Sequence, residues 1–131
     1  MPKKWRQRCL DNPNFMFKRA HSLARKRAES RELPFDITVE YLMSLFDEQN
    51  GSCYYSGHKI NIVKDDATRT HDPFKMTLDR KSPEKGYVKG NIVWCAYCVN
   101  AMKQKMPVDK MVEICRSISS VFENKGLEST V

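Results

Sequence analysis

The sequence predicts an α+β fold, a strand–loop–strand–helix unit flanked by amino-terminal and carboxy-terminal helices. Three observations lead there. Apolar residues recur at helical spacing before residue 50 and again after residue 107. Met76 and Leu78 alternate with polar neighbours, and Ile92-Val93-Trp94 is a run of β-formers. Between these stretches lies Lys81-Ser82-Pro83-Glu84-Lys85-Gly86, whose Pro83 and Gly86 break both helix and ladder.

In chain order, residues 14 to about 31 read as a helix, with Asn12 or Asn14 as cap and Met16, Ala20, Leu23, Ala24 and Ala28 near one face. Pro34 ends that region. Thr38 caps a second helix reaching about Gln49, striped by Val39, Leu42, Met43, Leu45 and Phe46, and Asn50-Gly51 stops it. Residues 53–63 suggest a short hairpin turning through Ser56-Gly57, and residues 64–75 a polar loop suited to substrate contact. A strand running up to Asp79, a turn, a strand through Trp94 and a helix from Ala96 to Lys105 follow. Pro107 suits the first turn of a last helix packing through Val108, Met111, Val112, Cys115, Ile118 and Val121 or Phe122. Met43, Met102 and Met111 read as core filler, as does Trp94. Tyr54 and Tyr55 fit either the core or stacking on a base, and Trp5 fits a packing anchor ahead of a DNA contact with Arg6 and Arg8.

Length and composition set the class. A chain of 131 residues with 40% hydrophobic and 30% charged residues is globular, with one domain as the default. No apolar run has transmembrane length and the amino end carries no signal-peptide pattern, so the expectation is a soluble, intracellular, cytoplasmic protein. The formal charge of +7 is segregated, because residues 1–35 hold ten Lys or Arg against three acidic residues while the remainder is balanced. Lys18, Arg19, Arg25, Lys26, Arg27 and Arg31 lie within that basic helical arm. A concentrated basic segment fits counterion-releasing contact with a nucleic-acid backbone, against the blander reading of a solvated helix face.

The residues that carry chemistry sit at the junctions of the strand–loop–strand–helix unit. Asp79 closes the first strand, Asn91 opens the second, and Asn100 and Lys103 lie one turn apart on the helix. A carboxylate from the hairpin and an amide from the helix supply oxygen ligands that suit a hard cation such as Mg²⁺. Taken singly, Asp79-Arg80 also reads as a surface charge pair and Asn91 as a turn residue.

This stretch resembles the HNH (ββα-metal) endonucleases, in the form common in phage and homing-type enzymes. The resemblance rests on Leu78-Asp79-Arg80, Gly86-Tyr87, Gly90-Asn91 with Ile92 to Trp94, and Asn100 followed by Lys103. It extends upstream through Pro34-Phe35-Asp36-Ile37-Thr38, Gln49-Asn50-Gly51-Ser52-Cys53 and Ser56-Gly57, roughly two-thirds of the chain. It implies a ββα-metal core hairpin plus helix within residues 36–125, after the basic arm at 1–35 and before a frayed tail at 126–131. It further implies a metal-dependent endonuclease that hydrolyses phosphodiester bonds of double-stranded DNA and, as a phage-encoded protein, acts in the host cell. Asp79 and Asn100 would hold Mg²⁺ or Mn²⁺, and Asn91 would brace the loop. Arg80 departs from the pattern, standing where many members carry the general-base His. An arginine stays protonated near neutral pH, so its role would be to grip the scissile phosphate. His71, eight residues before Asp79, is the candidate to act as base, and Lys103 the candidate to steady a neighbouring phosphate. The alternative is a catalytically altered nucleic-acid-binding protein on the same scaffold, with Arg80 in its favour.

Five cysteines without a secretion signal argue for reduced thiols. Cys95-x2-Cys98 has the spacing of a zinc half-site. Some HNH relatives hold a structural Zn²⁺ between two such pairs, and here Cys53 and His58 would complete a Cys₃His set. The competing reading is buried or incidental thiols, which is how Cys9 and Cys115 read.

Overall fold

The structure is a computed structural model and describes residues 14–62 and 72–126. Helix α1 (Phe15–Arg31) is followed by α2 (Val39–Glu48), strand β1 (Met76–Arg80), a 3₁₀ turn (Pro83–Lys85), strand β2 (Ile92–Ala96), α3 (Tyr97–Lys103) and α4 (Val108–Asn124). Among the described residues the architecture is α+β, four helices around one antiparallel hairpin in which Leu78 faces Trp94 and Asp79 faces Val93. Cys9, Trp5, His71 and most of the expected 64–75 loop lie outside the described residues.

Trp94 organises the core. It is fully buried, meets Phe17 and Phe46 edge-on, and donates its indole N–H to the Leu42 carbonyl at 2.8 Å. Gln49 seals the outer edge of β2 like a neighbouring strand, since its amide accepts from Trp94 N and donates to Trp94 O, each at 2.9 Å. All five β2 residues are buried. α1, expected as a basic arm, sends Phe17, Ala24 and Ala28 into this same core, while its cations remain outside. Its end is set by Glu32 at φ 54°, with Leu33 N bonding the Ala28 carbonyl in a Schellman closure. Thr38 caps α2 as expected, its hydroxyl accepting from Tyr41 N at 3.0 Å, and Asn50 (φ 55°) and Gly51 (φ 65°) turn the chain out.

The loop between the strands docks onto residues 34–36. Tyr87 N donates to Pro34 O, Asp36 N donates to Tyr87 O, and Gly86 lies so close to Pro34 that a Cβ would sit 2.5 Å from its carbonyl oxygen. Gly86 also has φ 78°, so this position needs glycine on two counts.

Three expectations change. Where a 53–63 hairpin is expected, residues 52–60 form a turn closed by one isolated Ser52–Lys59 bridge, made by Cys53 N to His58 O and Ile60 N to Gly51 O, and the ladder extends no further because Asn61 pairs with Lys75 instead. The apolar face of α4 is largely open. Met111 is buried, but Ile118 and Phe122 remain 49% and 48% exposed, since amphipathic spacing says which face is apolar and not what covers it. Met102 is 58% exposed, because Asn100 and Lys103 take the β1-facing side of α3 and turn it outward. No helix among the described residues is long and apolar enough to cross a membrane.

Candidate functional site

Side chains alternate along β1, and this alternation divides the candidate residues. Thr77 and Asp79 face α3, whereas Leu78 pairs with Trp94 and Arg80 turns toward Tyr87. Asp79 is buried, and two groups converge on its Oδ2: the Tyr55 hydroxyl donates at 2.6 Å and Lys103 Nζ lies at 3.3 Å. Lys103 is itself 1% exposed. Burial, then the hydrogen bond to Asp79 and its charge, push the Tyr55 phenol well above the ordinary tyrosine value. Tyr55 therefore stays protonated and acts as a donor to the carboxylate.

Asn100 lies alongside. Its Nδ2 donates to Thr77 Oγ1 at 3.2 Å and Leu78 O at 3.4 Å, so the amide oxygen is directed to the other side and takes no donor among the described residues. Asp79 Oδ1 is likewise without a donor among them. A buried carboxylate oxygen and an uncommitted amide oxygen are hard donors, and this chemistry fits Mg²⁺ or Mn²⁺. Asn91 holds the inter-strand loop: Ser82 N donates to its Oδ1, and its Nδ2 donates to Ser82 O and Gly86 O. Arg80 is tied locally, with Nη1 donating to Pro83 O at 2.8 Å and the guanidinium 5.3 Å from the Tyr87 ring centre.

Asp79, Arg80 and Asn100 line one open groove of about 1080 Å³ whose opposite wall is α1. Arg19, Arg27 and Arg31 stand on that wall, spread over about 18 Å of helix, and Lys75 and Lys105 complete the rim. Among the described residues, six cationic side chains and a single carboxylate line this groove. Lys18, Arg25 and Lys26 are exposed elsewhere on α1. Lys103, the candidate phosphate contact, is buried against Asp79 and is not among the residues that line the groove. Tyr55 was not legible as a site residue from spacing, because it reaches Asp79 from 24 positions upstream across a turn.

The expected zinc ligands are partly gathered. Cys53 and Cys95 Sγ atoms lie 3.9 Å apart, and Cys98 is half-buried nearby. His58 is exposed, with its Nδ1 3.1 Å from Ser56 Oγ and its ring against Phe74. Among the described residues no three His, Cys, Asp or Glu side chains are grouped to hold a metal ion. The two thiols differ. Burial raises Cys53, but hydrogen bonds from the Ser56 hydroxyl and from the backbone of Ala96, Ser56 and Tyr55 outweigh it and leave it below the ordinary value. Burial and the neighbouring Cys53 push Cys95 up.

No family model, curated protein or solved structure matches this chain.

Proposed function

We propose that this protein is a metal-dependent endonuclease of the HNH type acting on DNA. The observation that supports this reading is the shared groove: Asp79 and Asn100, the candidate oxygen donors, and Arg19, Arg27 and Arg31 of α1 are among the residues that line it. Arg19, Arg27 and Arg31 neutralise successive phosphates along the wall and set the register of the backbone. Asp79 and Asn100 would hold one Mg²⁺ or Mn²⁺, which when bound supplies Lewis-acid stabilisation of charge developing on the phosphate and leaving oxygens. Tyr55 fixes the Asp79 carboxylate through its hydroxyl, and Thr77 orients the Asn100 amide. Asn91 keeps the loop after Arg80 in shape. Arg80, which also lines the groove, would grip a phosphate through its planar fork. His71, the candidate base, lies outside the described residues.

The test is supercoiled plasmid incubated with Mg²⁺, Mn²⁺ or EDTA, using wild type and Asp79→Asn. Relaxed or linear product that needs the cation and the carboxylate supports the reading. A second reading, a nucleic-acid-binding protein without catalysis, draws on one observation: Asp79 is already neutralised by Lys103. It predicts salt-sensitive binding that persists in EDTA, with no cleavage.

A further inference from the structure

Lys103 is an unusual neighbour for a candidate metal ligand. It is among the most deeply buried side chains in the molecule, and its charge is satisfied by the same Asp79 oxygen that accepts from Tyr55. Its aliphatic stem comes from α3 one turn after Asn100, so the ammonium approaches the carboxylate from the helix that carries the other candidate ligand. A buried carboxylate needs a countercharge, and in this conformation an ammonium provides it. A divalent cation seated on Asp79 would put two further positive charges next to Nζ at a largely buried carboxylate, where like charges repel more strongly than in bulk water. The two cations are therefore alternatives.

We infer that Lys103 is a built-in countercation that occupies the Asp79 site until a divalent metal displaces it. This rests on the metal-dependent reading above. Two states follow. In the closed state Lys103 pairs with Asp79 Oδ2 and supplies its countercharge. In the open state the metal takes Asp79, and Lys103 swings out by rotation about its flexible four-carbon stem. The groove that Asp79 and Asn100 line offers the released ammonium a phosphate partner, so nucleic acid and metal load together. Metal affinity of the free protein is lowered by the cost of ejecting Lys103, and a backbone phosphate that captures Lys103 raises it.

The experiment uses the wild-type protein first. Amine acetylation read by mass spectrometry leaves Lys103 protected in EDTA and labels it at saturating Mn²⁺. In parallel, Mn²⁺ and Tb³⁺ binding are measured for wild type, Lys103→Gln and Asp79→Asn, with Tb³⁺ emission sensitised by the adjacent Tyr55. Lys103→Gln keeps a hydrogen-bonding group but removes the charge, and should bind about ten-fold tighter or better. Asp79→Asn should lose the site. Lys103 that stays protected while Mn²⁺ is bound, or equal affinity in wild type and Lys103→Gln, overturns this inference and leaves the metal-dependent reading intact. No Mn²⁺ bound by either protein overturns both. Should Lys103→Gln not fold, the wild-type labelling result decides alone.

Discussion

Lys103 Nζ lies 3.3 Å from Asp79 Oδ2, with the two side chains 1% and 8% exposed. This pair ties α3 to β1 in the middle of the candidate site. Removing one member strands a buried charge, and the cost of that is about 3–5 kcal/mol. Lys103→Met should lower stability by roughly that amount, read from the urea midpoint at pH 7. A loss near zero would mean that the pair is hydrated and not sealed.

Tyr55 adds a second bond to the same oxygen. Tyr55→Phe removes one hydrogen bond to a charged acceptor, worth about 1.5–3 kcal/mol, with little change in volume. The same substitution should alter alkaline unfolding. The folded phenol is raised above the ordinary tyrosine value of about 10, so its contribution is complete below that pH. Above it the unfolded chain loses the proton while the folded one keeps it, and stability falls as pH rises. Wild type should lose stability above about pH 10 more steeply than Tyr55→Phe, measured by chemical denaturation from pH 8 to 11.

Asn91 makes three hydrogen bonds to the backbone of Ser82 and Gly86. Asn91→Ala leaves those groups unpaired at a buried position and should cost roughly 2–4 kcal/mol. Amide hydrogen exchange should accelerate at Ser82, whose N–H Asn91 accepts. Unchanged exchange there would remove Asn91 as the brace of this loop.

The arginines facing the groove should matter more than the other cations of α1. Replacing Arg19, Arg27 and Arg31 together by Gln should lower the slope of log affinity against log salt by up to roughly three for duplex DNA. Replacing Lys18, Arg25 and Lys26, which do not line the groove, should lower it less. Equal effects would show that DNA does not follow the groove.

Glu32 ends α1 at φ 54°, a conformation that costs a side-chain-bearing residue about 1 kcal/mol relative to glycine. Glu32→Gly should therefore stabilise the protein by up to about 1 kcal/mol, seen as a higher melting temperature. A lower one would point to a contact of the Glu32 side chain that matters more than its backbone.

Local chemistry is what the sequence by itself determined. Thr38 reads as a cap, Asn50-Gly51 as a turn, and the alternation ending at Asp79 and the β-formers around Trp94 as strands, and the structure forms each of them. Each depends on residues close in the chain, where propensity and capping act. Asn91 by itself read only as a turn residue; its bracing place came from the resemblance, and its hydrogen bonds to Ser82 and Gly86 lie within its own loop. The tertiary structure alone decided which surfaces meet. It turned α1 into a wall of the groove, separated Arg19, Arg27 and Arg31 from Lys18, Arg25 and Lys26, and left Ile118 and Phe122 of α4 exposed. It also brought Tyr55 onto Asp79 and buried Lys103 there. Those outcomes depend on packing and on the need of a buried carboxylate for a countercharge, forces between residues far apart in sequence that periodicity does not record.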